Sequence, residues 1–202
     1  MEGAIVIKAE RDAELVPQGG QGRFYYHVLH GCVRTVCLLE DGRRQIGEFL
    51  FPGDLLQPDR IFGAEAVTSV ALRRISRATI EQRAGTDLSF AASLRADATR
   101  QICALRSRCL LLGRKTAVER VASFLLEMAS RLDGGADKAI ALPMGRSDIA
   151  DYLGLTAETV CRALTEMRQL GLIGVNRNSL GIVSHAALKR AAAEPADSPW
   201  LC

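Results

Sequence analysis

The feature that most constrains the fold is a glycine, Gly154, set between two short helical patterns in the last third of the chain. Glycine adopts the left-handed backbone that a tight turn between helices needs. Thr156 follows as a suitable N-cap for the second helix. The inward side of that helix is marked by apolar residues at helical spacing, namely Val160, Leu164 and Met167. This arrangement predicts a helix-turn-helix.

A predicted hairpin lies behind these helices. Residues 172–175 and 180–183 have the pattern of two strands, with Arg177 at the tip of the turn between them. The first helix is expected to begin with Ser147 as its N-cap and Asp148 in its first turn, where a negative charge suits the helix dipole. A helix-turn-helix followed by a hairpin is a winged helix, so the chain is predicted to have a winged helix-turn-helix near its C-terminus.

The outward side of the second helix carries the candidate functional residues. Helical spacing places four side chains together there, those of Glu158, Cys161, Arg162 and Thr165. An arginine can pair with guanine O6 and N7 in the major groove, and a glutamate can accept from cytosine N4. The alternative is that Glu158 and Arg162 form only a surface ion pair, worth about 0.3–0.5 kcal/mol. The predicted hairpin behind the helix favours contact with nucleic acid over a simple surface ion pair.

The sequence therefore predicts double-stranded DNA as a partner. Base contacts are expected from Glu158, Cys161 and Arg162. Contacts with the phosphate backbone are expected from Ser147, Thr156, Thr165 and Arg177.

The first 85 residues are rich in short strands. Runs of β-branched and aromatic residues occupy three segments, residues 24–29, 33–39 and 45–50. Asp41-Gly42 is a strong turn signal between the last two. Further strand is expected from residue 64 to residue 75, and strand-like sequence continues to about Arg83. Many short antiparallel strands joined by turns predict a small barrel or jelly roll over residues 1–85.

The next segment, residues 86–113, is predicted to be one long helix. An apolar stripe with spacings of four and three runs along it through Ala98, Ile102, Leu105, Cys109 and Leu112. Such a stripe needs a partner helix, and a second copy of the chain is the simplest one, so we expect a homodimer. The alternative is that the stripe packs on the β-domain of its own chain.

The remaining residues divide into a domain and a tail. The winged-helix domain is expected to span residues 114–190 and to begin with a helix from about Thr116 to Leu132. Residues 191–202, rich in alanine with two prolines, are expected to be a flexible tail.

Composition excludes several classes of function. The net charge of +3 is compatible with a nucleic-acid partner. None of the six cysteines forms a C-x-x-C pair, so free thiols are expected and a metal site is not. The three histidines have no partners at a catalytic spacing, so the chain is not expected to be an enzyme. No secretory signal or membrane-length apolar segment is found, which predicts a cytoplasmic protein without a membrane partner.

Four motifs carry a resemblance to a known family. They are His27–Arg34 with Asp41–Phe49, Phe51–Asp54, Gly113–Ala122 and Leu153–Arg162. In these motifs, and over nearly its whole length, the chain resembles the CRP/FNR family of bacterial transcription regulators, and most closely the FixK-like branch. The resemblance implies an α+β fold with an N-terminal β-roll (jelly-roll) sensor domain, a long dimerisation helix and a C-terminal winged helix-turn-helix.

The resemblance also implies a function. Members of this family regulate transcription, and the likeness favours activation through contact with RNA polymerase. Their base-reading positions correspond here to Glu158, Cys161 and Arg162. Ala157 stands where the CRP branch has an arginine, which favours a palindrome with one TTGA-type half-site per subunit. The FixK-like branch further implies target genes of microaerobic metabolism or nitrogen fixation.

The sensor domain departs from the ligand-binding branches of the family. No cysteine precedes Cys32, whereas the FNR branch holds an iron–sulfur cluster through N-terminal cysteines. The segment after Gly47-Glu48 lacks the Arg-Ser pair of the cyclic-nucleotide branch. An odd separation along one strand sends His27 and His30 to opposite faces, which argues against haem. We therefore expect no cofactor, and the alternative is an effector-gated regulator whose β-roll binds a small molecule.

Cys161 is a candidate redox switch. It lies one turn inside a predicted helix N-terminus and beside Arg162, and both favour the reactive thiolate. Oxidation to a sulfinic or sulfonic acid would put negative charge and bulk against DNA phosphates. The alternative is that Cys161 is a small residue in contact with a base, and that any oxidation is incidental.

Overall fold

The computed structural model describes residues 5–20, 22–132, 140–176 and 179–193. The chain divides into two compact units, Met1–Ala96 and Asp97–Cys202. Strands dominate the first unit and helices the second, so the predicted α+β class is confirmed.

The first unit is built from eight strands in two antiparallel sheets. The strands are β1 (Ile5–Ala9), β2 (Glu14–Val16), β3 (Phe24–His30), β4 (Val33–Leu38), β5 (Arg44–Leu50), β6 (Leu55–Leu56), β7 (Gly63–Ala66) and β8 (Val70–Ser76). One sheet has the order β1-β8-β3-β6 and the other the order β2-β7-β4-β5. The predicted strands within residues 24–75 are confirmed, whereas β1, β2 and β6 were not predicted.

Both sheets contribute to one hydrophobic core. Val28 and Leu72 come from the first sheet and Val33 and Ala66 from the second, and none of these four side chains is exposed. Two sheets that share a core form a sandwich, which is the architecture of the predicted jelly roll.

A buried arginine ties the second sheet to the turn between β1 and β2. Arg34 on β4 lies 2.7 Å from a carboxylate oxygen of Glu65 on β7 and 3.2 Å from one of Asp12 in that turn. A guanidinium that is mostly removed from water needs such partners, since an unpaired buried charge is strongly destabilising. The network therefore stabilises the end of the sandwich where β1 turns into β2.

The strand-like sequence near Arg83 is helical in the structure, which corrects the prediction. Strand β8 ends at Ser76, whose hydroxyl accepts from the backbone N–H of Thr79 and so caps helix α1 (Arg77–Thr86). Asp87 then separates α1 from helix α2 (Leu88–Arg114). Its carboxylate accepts from the backbone N–H of Phe90, and this bond is the main reason that the pKa of Asp87 is lowered.

Helix α2 is the predicted long helix, and none of its 27 residues is buried. Of the predicted stripe, Ile102 is 51% exposed and Leu105 is 56% exposed, and Ala98 and Cys109 are exposed as well. These four side chains of the stripe are therefore exposed in the single chain.

The second unit continues with helices and one hairpin. Its elements are α3 (Ala117–Arg131), α4 (Arg146–Leu153), α5 (Ala157–Gln169), β9 (Ile173–Asn176), β10 (Ser179–Ile182) and α6 (His185–Ala191). Helix α3 begins with a capping box between Thr116 and Glu119, as its predicted start requires. Helix α6 was not predicted, although Leu188 and Ala192 are fully buried. Of the expected tail, residues 194–202 lie outside the described part of the chain.

Two glycines with the same backbone conformation provide a matched test of the first unit. Gly31 and Gly42 have φ values of +84° and +83°. A Cβ on Gly31 would lie 2.3 Å from the backbone oxygen of Ser69, whereas a Cβ on Gly42 would meet nothing within 4 Å. Both substitutions by alanine cost about 1 kcal/mol of backbone strain, and overpacking adds about 1–3 kcal/mol at Gly31 alone.

We therefore expect Gly31→Ala to lower the melting temperature by clearly more than Gly42→Ala, as measured by thermal unfolding. Equal shifts for the two variants would contradict the packing described at Gly31.

Candidate nucleic-acid interface

Helix α5 is fixed in place by its inward side. Val160 and Met167 are fully buried and Leu164 is 6% exposed, as the predicted spacing requires. The N-cap is Thr156, whose hydroxyl oxygen lies 3.1 Å from the backbone N–H of Thr159 and accepts from it. The predicted cap and the predicted inward face are both confirmed.

The turn before α5 has the predicted glycine geometry. Gly154 has a φ of +62° and ends helix α4 in the left-handed conformation. The start of α4 differs from the prediction, because its N-cap is Gly145 and no side chain caps it. Ser147 lies inside the first turn, because the backbone is already helical from Arg146 onward. The N-cap role predicted for Ser147 is therefore wrong, although its side chain is exposed near that end of the helix.

The outward side of α5 brings the predicted residues together. Glu158, Cys161, Arg162 and Thr165 are all exposed. Within the part of the chain that the structure describes, neither Glu158 nor Arg162 has an ion-pair partner, so the surface ion pair considered as the alternative is not formed. The hydroxyl of Thr165 donates to the backbone oxygen of Cys161 at 2.9 Å. A guanidinium and a carboxylate therefore face solvent side by side with their hydrogen-bonding capacity available.

The predicted hairpin is present behind α5. Strands β9 and β10 are antiparallel and pair Ile173 with Ile182. Ile140 adds a further bridge, since its backbone exchanges two hydrogen bonds with Leu180 at 2.6 and 2.9 Å. Arg177, predicted at the tip, lies outside the described residues.

Sequence reasoning missed the residues that support the turn from behind. A guanidinium nitrogen of Arg108 donates to the backbone oxygen of Tyr152 at 2.8 Å, and one of Arg120 donates to that of Leu153 at 2.9 Å. The hydroxyl of Tyr152 donates to Glu127 at 3.0 Å, and burial raises the pKa of this tyrosine, which keeps it protonated. From the sequence, Arg108 is only a charged residue beside the apolar stripe, because the spacing does not show whether a long side chain points to solvent or to a helix end.

Two further observations concern the described residues alone. None of their helices is both long enough and apolar enough to cross a bilayer. Their His, Cys, Asp and Glu side chains also form no group of three or more that could hold a metal ion.

Comparison with known proteins agrees with this geometry. Residues 119–191 match the Crp-like helix-turn-helix domain. The chain is 41% identical over 174 residues to the nitrogen fixation regulation protein FixK of Azorhizobium caulinodans, which covers 82% of this chain and 69% of the relative. It is 36% identical over 190 residues to FixK of Rhizobium meliloti, which covers 92% and 86% of the two chains.

A solved structure gives the same assignment. The structure of FixK2 from Bradyrhizobium japonicum superposes with a TM-score of 0.89 at 39% identity, covering 96% of this chain and 99% of that one. These relatives are regulators and not enzymes. The chain therefore belongs to the FixK branch of the CRP/FNR family and is a DNA-binding transcription regulator.

Proposed function

We propose that the protein is a homodimeric activator that binds a palindrome with one TTGA-type half-site per subunit. The observation that carries this proposal is the exposed group formed by Glu158, Cys161 and Arg162 on α5, the second helix of the helix-turn-helix. The second helix of this motif is the one that enters the major groove.

The chemistry of this group fits the half-site. A TTGA sequence contains a single G·C pair. Arg162 supplies the donors that fit guanine O6 and N7, and Glu158 supplies the acceptor that fits cytosine N4, so the two residues can read that pair together. Cys161 lies between them in the sequence and is small enough to contact a neighbouring thymine methyl.

The side chains proposed to contact the DNA phosphates differ in how far the structure supports that role. Thr156 and Ser147 are exposed near the N-terminal ends of α5 and α4, where a phosphate is favoured. The hydroxyl hydrogen of Thr165 is already used within the helix, so this side chain approaches a phosphate without donating to it while that bond lasts. The contact of Arg177 rests on its place in the sequence at the tip of the hairpin.

The proposed dimer interface is the stripe of α2 formed by Ala98, Ile102, Leu105, Cys109 and Leu112, of which the first four are exposed and Leu112 is half-buried. A helix of 27 residues is about 40 Å long, which gives ample length for pairing with a second copy. We keep residues 86–113 as the proposed dimerisation segment, between a β-domain over residues 1–85 and a reader over residues 114–190. Activation through contact with RNA polymerase is proposed from the family.

Regulation by a bound effector is less well supported. The first unit has an open cleft lined in part by exposed charged side chains, those of Arg23, Arg60, Arg77 and Glu81. Small-molecule sites are typically concave and mostly apolar. We therefore propose that DNA binding does not require an effector, and binding that appeared only after a small molecule was added would favour the alternative.

The first prediction concerns base reading. Arg162→Ala removes the proposed guanine contact and is expected to weaken binding to inverted TTGA half-sites by about 1–3 kcal/mol per half-site, or roughly 5- to 150-fold. Fluorescence anisotropy on this duplex and on a scrambled duplex, over a range of salt, measures the change. Arg168→Ala is the matched control, because Arg168 is exposed on the last turn of the same helix. An equal loss for both variants would show that only the charge matters and would contradict the proposed contact.

The second prediction concerns the dimer. Leu105→Glu places a charge in the stripe and is expected to produce monomers, because a charge buried between two helices has no partner. Leu110→Glu is the control, since Leu110 is 47% exposed on α2 but lies outside the stripe. Sedimentation velocity measures the mass of both variants. A dimer that survives Leu105→Glu at micromolar concentration would place the interface elsewhere.

Oxidation of Cys161 is proposed as an off-switch. The thiol is exposed on the face that meets DNA, next to Arg162 in the chain. Two equivalents of hydrogen peroxide convert the thiol to a sulfinic acid and release two water molecules. The product carries a negative charge, which repels the phosphate backbone.

The third prediction tests this switch. Peroxide is expected to abolish DNA binding by the parent protein, whereas Cys161→Ser keeps its affinity after the same treatment. Cys103→Ser is the control and should remain as sensitive as the parent, because it leaves the exposed thiol on α5 in place. If Cys161→Ser loses binding as fast as the parent, the sensitive group is elsewhere.

A further inference from the structure

The C-terminal end of α4 is held by two arginines from other helices. The last carbonyl groups of a helix have no partner within the helix and need one elsewhere. Arg108 of α2 donates to the backbone oxygen of Tyr152 at 2.8 Å, and Arg120 of α3 donates to that of Leu153 at 2.9 Å. The turn that leads into α5 is therefore attached to both α2 and α3.

Arg120 joins three chain segments at one guanidinium. Besides Leu153, it donates from Nη2 to the backbone oxygen of Leu112 at 2.8 Å and from Nε to that of Lys115 at 3.0 Å. Leu112 belongs to α2, and Lys115 lies in the turn between α2 and α3. Because the guanidinium is planar and its donors have a fixed geometry, these three bonds fix the segments in direction as well as in distance.

Arg108 makes a second attachment of a different kind. Its guanidinium carbon lies 3.7 Å from the ring centre of Tyr152, which is a close cation–π contact. Tyr152 is 8% exposed, its ring lies edge-on to that of Phe124 with ring centres 5.6 Å apart, and its hydroxyl donates to Glu127. This chain of contacts runs from α2 through α4 to α3.

The turn itself packs against the end of α2. A Cβ built on Gly154 would lie 3.7 Å from the Nη1 atom of Arg120 and 3.7 Å from a methyl carbon of Leu112. These are ordinary contact distances, so the start of α5 is adjacent to the last turns of the proposed dimerisation helix. The direction of α5 relative to α2 is consequently set by a small group of neighbouring residues.

This geometry has a consequence for a symmetric dimer. If α2 lies on the dimer axis, its angle to α5 decides how far apart the two reading helices lie. A rotation of about 15° on a lever of about 13 Å, the radius of a small domain, displaces a helix by about 3.4 Å, which is one base-pair step. A small loss of angular restraint therefore changes which half-site spacing the dimer accepts.

We propose that Arg108 and Arg120 are positioning residues that set the half-site spacing the dimer accepts. The proposal rests on the dimeric, palindrome-binding function argued above. In this role neither arginine contacts DNA. Both act by holding α4 and the Gly154 turn against the end of α2.

The test uses Arg108→Lys and Arg120→Lys in the full chain. Each keeps the charge, but a lysine ammonium lacks the planar fork that holds several acceptors in fixed directions. Binding is measured by anisotropy on the optimal palindrome, on palindromes with one base pair added or removed between the half-sites, and on a duplex with a single half-site. Arg106→Lys is the matched control, because Arg106 is exposed on α2 and has no ion-pair partner among the described residues.

The expected result separates positioning from general damage. Single half-site binding should stay at the parent level, and the preference for the optimal spacing should fall by about tenfold, as for the loss of one charge-assisted hydrogen bond. Arg106→Lys should behave as the parent. An unchanged spacing preference in both lysine variants would overturn the proposal.

Two further outcomes are informative. If one lysine variant does not fold, as judged by thermal unfolding, the other decides, because Arg108 and Arg120 hold α4 through separate hydrogen bonds. A parent that binds all three spacings equally would overturn the positioning role. A parent that shows no selectivity for TTGA half-sites at any spacing would instead contradict the proposed function.

Discussion

The reader unit depends on one interface, the buried side of α3. Val121, Phe124, Leu125 and Met128 are fully buried there, and α3 contacts both α5 and α6. Helices of eight and thirteen residues, such as α4 and α5, are marginal on their own in water, because nucleating a short helix costs more than its few hydrogen bonds return. Their stability therefore comes from packing within this unit, around the buried side of α3. The outward side of α5 can be polar and exposed because its inward side is buried.

The contrast between a buried inward side and an exposed outward side explains which features the sequence predicts well. Residues such as Val160 and Met167 must be apolar at helical spacing to reach the core, and Gly154 must be free to adopt a positive φ. These requirements leave a periodic trace in the sequence. The strands of the first unit leave a similar trace in their alternation and in turn signals such as Asp41-Gly42. The proposed half-site rests on the family resemblance, because no periodicity in the sequence contains it.

What the sequence does not predict depends on geometry between distant residues. The backbone of α4 is helical from Arg146 onward, which makes Gly145 the N-cap, although Ser147 has the better side chain for capping. Helix α1 follows β8 without an apolar periodicity that would mark it, since none of its residues is buried. The roles of Arg108 and Arg120 depend on contacts 44 and 33 residues along the chain, so spacing alone gives no sign of them. The position of Arg177 at the tip of the hairpin remains a prediction from the sequence.

The exposed stripe of α2 has a consequence for how the cell uses this protein. In the proposed dimer, the active species forms by association of two chains through this helix, none of whose residues is buried in the single chain. While free chains are in the majority, the number of dimers rises with the square of the total protein. The regulated genes then respond more than proportionally to synthesis of the regulator, and halving its abundance lowers their dimer supply about fourfold. Such a dose response gives a threshold without any bound signal.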